Sequence, residues 1–580
     1  MRPNRKKGAL FIAAGLLAVL FATLSDYLRQ REISFGNAQI ALLALGVLLT
    51  LAGLIMTFRR DITLKDLGAF FNNTAHMKTL GDILLYALIL LLLVHPLIYL
   101  YNWVSYPYPV NYRDVGEVLP AVAMADGINP YALESYPEYM FVYGILFEFI
   151  MLPFIGLTDQ PLLVAHWTML VFLAAFLVLA FRFLRQRKAS VPAALIGVLV
   201  FLNAVCFLWH LDGIRPDTLA LFFGYAAFYI FFKKKISVFD LILSSLFCVF
   251  CFYLKQYLLF SAAVIALTLF LFHSKLKSLL YVLFTALFGI GSFLLICHYF
   301  PMYYNYALIH HLNMFGGNST NHMLMQTRDF FLYFWPLVFF ALIILYKKLF
   351  AFDFKAVFKR SSYTLRFTSP LITGYRMDFW IIGLVGAAAV LTFWLGHHGL
   401  SYYSYYVELL LPYLVFLVIP ELEPLLPKYT QRFLALLFIM GFCLLPFRAR
   451  YVLNARVASM GYQQLFGFAE QCANIYDTNP LAAVYKLNRD IRPIYNNGQT
   501  EYAPSVFSRD AGFMGKFSII EDEQIEERLT AWNQSIEQGL RDQEFDCIIA
   551  QTTDPFANYE INEVLEVPGS PLFIFKPTIK

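Results

Sequence analysis

Four polar passages interrupt an otherwise apolar chain of 580 residues, and each holds residue types that do chemistry. The first reads Asn111-Tyr-Arg-Asp114-Val-Gly-Glu117, followed by Asp126-Gly127-Ile-Asn-Pro130-Tyr131 and Tyr143-Gly144. An apolar run precedes it, so Asp114 falls at a membrane boundary, where a carboxylate can take a proton from an attacking hydroxyl. General-base catalysis of that kind contributes roughly 10²–10⁴-fold. Asp is also a preferred N-cap, and Asp114 stands where it would cap a short helix over 115–125. Both roles are open.

The second passage is Trp209-His210-Leu-Asp212-Gly-Ile-Arg215-Pro216-Asp217. A charge at the centre of a membrane helix costs about 2.5–3.5 kcal/mol on insertion scales and less near an interface, so charges here need a partner or a task. One reading makes Arg215 and Asp217 a structural ion pair within the turn; the other gives them, with His210, to a substrate. The third is Tyr253-Leu-Lys255-Gln256-Tyr257. A lysine between two membrane helices either snorkels to the interface or serves a phosphate oxyanion as a compact point charge. The fourth runs from His397-His398 through Tyr402-Tyr403 to Glu408 and Pro412. Adjacent histidines diverge on a helix, which argues against a two-histidine metal site. Tyr402 and Tyr403 fit an aromatic belt or a sugar-stacking surface, whereas Glu408, well inside an apolar run, asks for a functional explanation.

The elements that position these residues are membrane helices. Hydrophobic residues make up 59% of the chain and charged residues 14%, against roughly 25% charge in soluble domains. Lysines and arginines form short clusters between apolar runs, not a basic face, which excludes nucleic-acid binding. Segments of about 20 apolar residues fall near 8–26, 38–58, 80–103, 161–182, 190–208, 217–232, 237–254, 256–272, 278–299, 329–346, 379–396, 403–419 and 430–447. The N-terminal run reads as a retained signal anchor.

Cations gather at Arg182–Lys188, Lys233–Lys235 and in the 347–376 loop, which places those connections and the N-terminus inside by the positive-inside rule. The four polar passages and residues 448–580 then lie outside. Residues 141–157 are apolar, but counting them as a span would invert the Arg182 cluster, so they are expected as a re-entrant or interfacial helix. This divides the chain into an N-terminal hairpin (1–60), a transmembrane core (61–447) with an outer loop (104–160), and an extracytoplasmic α/β domain (448–580). In that domain 521–541 reads as a helix, and 482–485, 545–550 and 572–575 read as strands. Cys472 and Cys547 lie in this region and are free to pair in an oxidising compartment. Cys248 and Cys251 form a CxxC within a membrane run, where thiols behave as small hydrophobes.

Taken in order, these passages resemble the lipid-phosphate-sugar-dependent glycosyltransferases of the GT-C fold, in particular the bacterial branch related to protein O-mannosyltransferases and the aminoarabinose transferases of lipid A. Asp114 matches the Asp that opens the family's first outer loop, and Gly127–Tyr131 matches its Gly-x-x-Pro-Tyr element. Tyr143-Gly144-Ile145-Leu146 stands where the family has Tyr-Pro-Pro-Leu, without the prolines. Arg215, Asp217 and Leu219–Leu221 match an Arg-x-Asp-x-Leu-Ala-Leu turn, and Lys255-Gln256 a Lys-Gln turn. The hairpin before residue 60 is additional to the family core.

The resemblance implies a polytopic α-helical, GT-C-like membrane protein with a C-terminal extracytoplasmic α/β domain. It implies an inverting displacement in which Asp114, with Glu117 as fallback, deprotonates the acceptor while a polyprenyl phosphate leaves. Lys255, Arg215 and Asp217 would hold the donor phosphate, and Tyr131, Tyr143, His210, Tyr402, Tyr403 and Glu408 would contact substrate. The implied partners are a polyprenyl-phosphate-linked sugar, membrane lipids and a glycan, lipid or protein acceptor. No cofactor or metal is required, although Asp114 with Asp217 would offer a divalent ion two carboxylates. A lipid-linked glycan flippase and a polysaccharide ligase are the competing readings.

Overall fold

The computed structural model describes residues 74–105, 112–137, 139, 144–158, 160–208, 215–233, 235–310, 320–350, 379–391, 403–444, most of 465–477, 516–550 and 556–578. The hairpin expected over 8–26 and 38–58 and the strand expected over 482–485 lie outside them, as do Tyr143, His210 and Tyr402 and the side chains of Asp114 and Tyr403.

Helix α1 (Thr74–Ser105) leads into the outer loop, which carries α2 (Tyr112–Ala125) and α3 (Leu146–Ile155). There follow α4 (Pro161–Gln186), α5 (Val191–Leu208), α6 (Asp217–Ala226) and α7 (Val238–Phe252). Next come α8 (Phe260–Thr268), α9 (Lys275–Tyr299), α10 (Thr320–Phe350) and α11 (Phe379–Val390), then α12 (Tyr403–Leu409), α13 (Leu411–Leu425) and α14 (Tyr429–Cys443).

Among the described residues, five helical segments are long and apolar enough to cross a membrane. The clearest is α9. Its 25 residues reach about 37 Å at 1.5 Å each, against a hydrocarbon core of about 30 Å. Leu279, Leu283, Leu287, Ile290 and Leu294 along it are all more than half exposed, while Tyr281 on the opposite side is fully buried. An apolar stripe of that length facing outward is what lipid, not water, requires. By contrast, α3 has ten residues and reaches about 15 Å. It cannot cross, as expected for 141–157.

The span expected over 403–419 is two helices instead. Pro412 has no N–H to give the carbonyl of Glu408 four residues back, so the helix breaks at Leu410. The released carbonyl accepts the Tyr225 hydroxyl at 3.1 Å.

Ring contacts sort the charges by end: Phe183 stacks on Phe232 and Phe231 on His273. Arg185 at the end of α4, Lys233 before α7 and Lys275 at the start of α9 share one end of the bundle. There Arg187 pairs with Glu421 of α13 at 3.2 Å, and Lys233 contacts Asp240 in the Ser237 capping box. The start of α6, the end of α7, and helices α2, α3 and α12 lie at the other end. Between the two ends, rings pack the core, with Trp380 and Phe416 at 4.5 Å and Tyr413 seated against Gly383, where any Cβ would overlap it.

The C-terminal α/β unit is a four-stranded sheet in the order β1-β2-β4-β3, where β1 is Ile475–Asp477, β2 Cys547–Ala550, β3 Tyr559–Val567 and β4 Ser570–Pro577. β1 and β2 run parallel; the other pairs are antiparallel. Helix α15 (Asp522–Arg541) covers it through Trp532 and Ile536. Cys472 and Cys547 form a disulfide that ties the approach to β1 onto β2. The first turn of α15 reaches back to the helical part: Ile525 is buried among Tyr131, Tyr136, Tyr303 and Tyr306, and Ser518 donates to Asn305 Oδ1 at 3.1 Å.

Candidate active site

The site lies at the end of the bundle away from the basic connections, and Lys255 is its centre. Helix α7 stops at Phe252, and Lys255 is extended (φ −147°, ψ 106°) while its N–H still bonds Cys251 O at 2.8 Å. This turn holds the lysine inside, 3% exposed, with Nζ 3.6 Å from Asp217 Oδ2. Lys255 therefore does not snorkel to an interface. Asp217 is the first residue of α6, where the helix dipole favours a carboxylate. Its ion-pair partner is Lys255, 38 positions on, so of the two readings of the turn the Arg215–Asp217 structural pair is not the arrangement found. Arg215 is half-buried beside it, its backbone N–H against Met169 Sδ at 3.3 Å.

Glu408 is the second acid of this cluster. It is fully buried on α12; its side chain lies against that of Asp217 and accepts the Tyr257 hydroxyl. Two carboxyl groups thus share one lysine, and the Pro412 break is what leaves the Glu408 backbone bonded sideways to Tyr225.

The outer loop supplies a third face. Asp114 is the third residue of α2, inside the helix, so it is not the N-cap of a helix starting at Val115. Glu117, one turn on along the same face, is 3% exposed. Burial raises its carboxyl well above the usual carboxylate range; Lys255 and Arg215 pull it down, while Asp217 and Glu148 push it further up. Those interactions bring residues from α2, α3, α6 and the α7–α8 turn close to one another at that end of the bundle.

The loop is anchored there by its glycine. A Cβ on Gly144 would sit 1.7 Å from Tyr253 O, and Leu146 N–H bonds that same carbonyl at 3.3 Å. Only glycine permits this backbone contact two residues from Lys255.

No protein-family model matches the sequence. No curated protein does so either. In structure the chain is similar to ArnT from Cupriavidus metallidurans. With the form bound to undecaprenyl phosphate the TM-score is 0.49 at 12% identity, over 84% of this chain and 97% of that one. With the apo form it is 0.47 at 11%, over 84% and 98%. A likeness that distant leaves the chemistry to be read from the site's own residues.

Tyr131 is completely buried between Phe300 and Tyr303, and its hydroxyl donates to Glu148 Oε1 at 2.6 Å. Glu148, on α3, escaped the sequence reading. Burial pushes its carboxyl up to about 8, against the Tyr131 hydrogen bond. Its signal was present: a lone carboxylate in the apolar run Ile145–Ile155 is as conspicuous as Glu408. Tyr257 and Tyr225, which hold Glu408, carried no such signal. No group of three His, Cys, Asp or Glu side chains among the described residues is arranged to bind a metal ion.

Proposed function

We propose that this protein is a membrane glycosyltransferase that moves a sugar from a polyprenyl-phosphate carrier to an acceptor hydroxyl at the outer membrane face. The observation that carries the reading is the burial of Lys255 at the non-basic end of the bundle, with acids from three separate elements around it. A buried cation of this kind suits a phosphate oxyanion, which as a leaving group needs charge stabilisation more than protonation. Arg215, half-buried beside it, would share that task.

In the proposed step the acceptor oxygen attacks the anomeric carbon as Asp114 removes its proton. The C–O bond to the phosphate breaks with its electron pair, leaving polyprenyl phosphate. Inversion follows from attack opposite the leaving group. Glu117, on the same face of α2, is the fallback base. A donor with a long lipid tail stays in the bilayer, which accounts for a mostly transmembrane enzyme. The outer-face assignment is supported by the basic clusters at the opposite end and by the Cys472–Cys547 disulfide, a bond that persists in oxidising compartments.

The test is release of undecaprenyl phosphate from undecaprenyl-phosphate hexose and pentose donors by the purified protein in nanodiscs, with Asp114→Asn as control. Turnover should fall roughly 10²–10⁴-fold in the variant. Undiminished activity there removes Asp114 as base, and lipid movement without bond cleavage favours a flippase.

A further inference from the structure

The outer loop contains a further acid, Glu148, that the proposed displacement does not use. Glu148 and Glu117 are each 3% exposed, and each has one buried oxygen, Oε2 of Glu148 and Oε1 of Glu117, without a hydrogen-bond partner. Buried polar atoms are nearly always satisfied, so an orphaned carboxyl oxygen beside a reaction centre points to a partner that arrives with the substrate. Glu148 is held for such a role. Tyr131 donates to its Oε1 and is itself fixed on every side: Asn129 Oδ1 accepts the Tyr131 N–H at 3.1 Å, and Tyr131 O accepts Met302 N–H at 2.9 Å. The Tyr131 hydroxyl is spent on this bond, so what the pair presents is the other oxygen of Glu148.

The position of that oxygen selects the ligand. Leu146, two residues before Glu148, is hydrogen-bonded to Tyr253 O, two residues before Lys255. A phosphate on Lys255 therefore brings whatever is esterified to it toward the first turn of α3. On a polyprenyl-phosphate donor that group is the sugar, and sugar hydroxyls both give and accept hydrogen bonds.

We propose that Glu148, oriented by Tyr131, is a sugar-recognition residue that hydrogen-bonds a ring hydroxyl of the donor; this rests on the transferase reading above. The bond is made to the bound sugar throughout the reaction, so its loss acts on KM and not on kcat. The test compares Glu148→Leu, Glu148→Gln and Tyr131→Phe. The readouts are donor KM and kcat, and the inhibition constant of undecaprenyl phosphate, which has no sugar. Glu148→Leu should raise KM about 10- to 100-fold, with kcat and the undecaprenyl phosphate inhibition constant close to wild type. Glu148→Gln keeps an acceptor for Tyr131 and a donor for the sugar, and should restore KM to within about threefold. Tyr131→Phe should give an intermediate KM. A Glu148→Leu protein with wild-type KM overturns the assignment. So does a Glu148→Gln protein as impaired as Glu148→Leu, or a parallel loss of undecaprenyl phosphate inhibition, which would mark Glu148 as structural. A wild-type protein that undecaprenyl phosphate does not inhibit overturns the transferase reading itself.

Discussion

Replacing Lys255 with methionine keeps most of the side-chain volume and removes the one charge on which the site is centred. Asp217 would then be left buried beside Glu408, with its nearest cation 3.6 Å away deleted. At that separation two unit charges interact by about 5 kcal/mol for an effective dielectric near 20. Leaving one partner of a buried pair alone typically destabilises by about 3–5 kcal/mol. Lys255→Met should therefore lose several kcal/mol of resistance to denaturation, and Asp217→Asn less, because Glu408 still faces Lys255. The double variant should lose clearly less than the sum, with a coupling of about 1–3 kcal/mol. The assay is SDS titration of the purified protein in mixed micelles, followed by tryptophan fluorescence, with all four members of the cycle measured in one buffer. In parallel, undecaprenyl phosphate binding should weaken at least about tenfold in Lys255→Met. Additive single losses below about 1 kcal/mol, the size seen for solvent-exposed pairs, would refute the premise that this lysine is buried and paired.

Other expectations follow from single contacts. Gly144→Ala places a methyl group onto Tyr253 O and should displace the outer loop from the Lys255 turn, abolishing donor turnover while the helical bundle still folds, as read by circular dichroism. Removing the Cys472–Cys547 bond opens a loop with a sequence separation of 75 and should weaken the C-terminal unit by about 4 kcal/mol, seen as faster proteolysis of 448–580 with the membrane part intact. The Glu148 carboxyl, whose value burial raises to about 8, holds its proton below that pH; the fold's preference for the protonated form is complete below the ordinary carboxylate range and is lost as pH rises toward 8. Beside Tyr131 and Glu117, its ionisation should raise donor KM on the alkaline side, and Glu148→Gln should flatten that limb; an unchanged limb would assign it to another group.

Much of the membrane architecture was legible in the chain because lipid imposes a simple constraint. Each span must satisfy its own backbone and present apolar side chains over about 20 residues, and both requirements are local. The expected 278–299 and 161–182 spans therefore match α9 and α4 closely. The short α3 was legible in the charge count that refused a crossing there, whereas the break at Leu410 was not read from Pro412 and 403–419 was expected as one span. Cys472 and Cys547 could be nominated as partners, but a shared compartment does not bring two thiols together; the β1–β2 pairing does.

What only the tertiary structure decided is which charges meet. Sequence spacing pointed Arg215 to Asp217, two residues away; packing of α6 against the α7–α8 turn gave Asp217 to Lys255 instead. Glu408 reaches Asp217 across nearly two hundred residues because α12 lands at the same end of the bundle. Glu148 acquired meaning only when Tyr131 was seen to hold it. Hydrophobicity acts along the chain and can be read there. Charge pairing acts through a few ångströms of space, and that distance is set by how the helices pack.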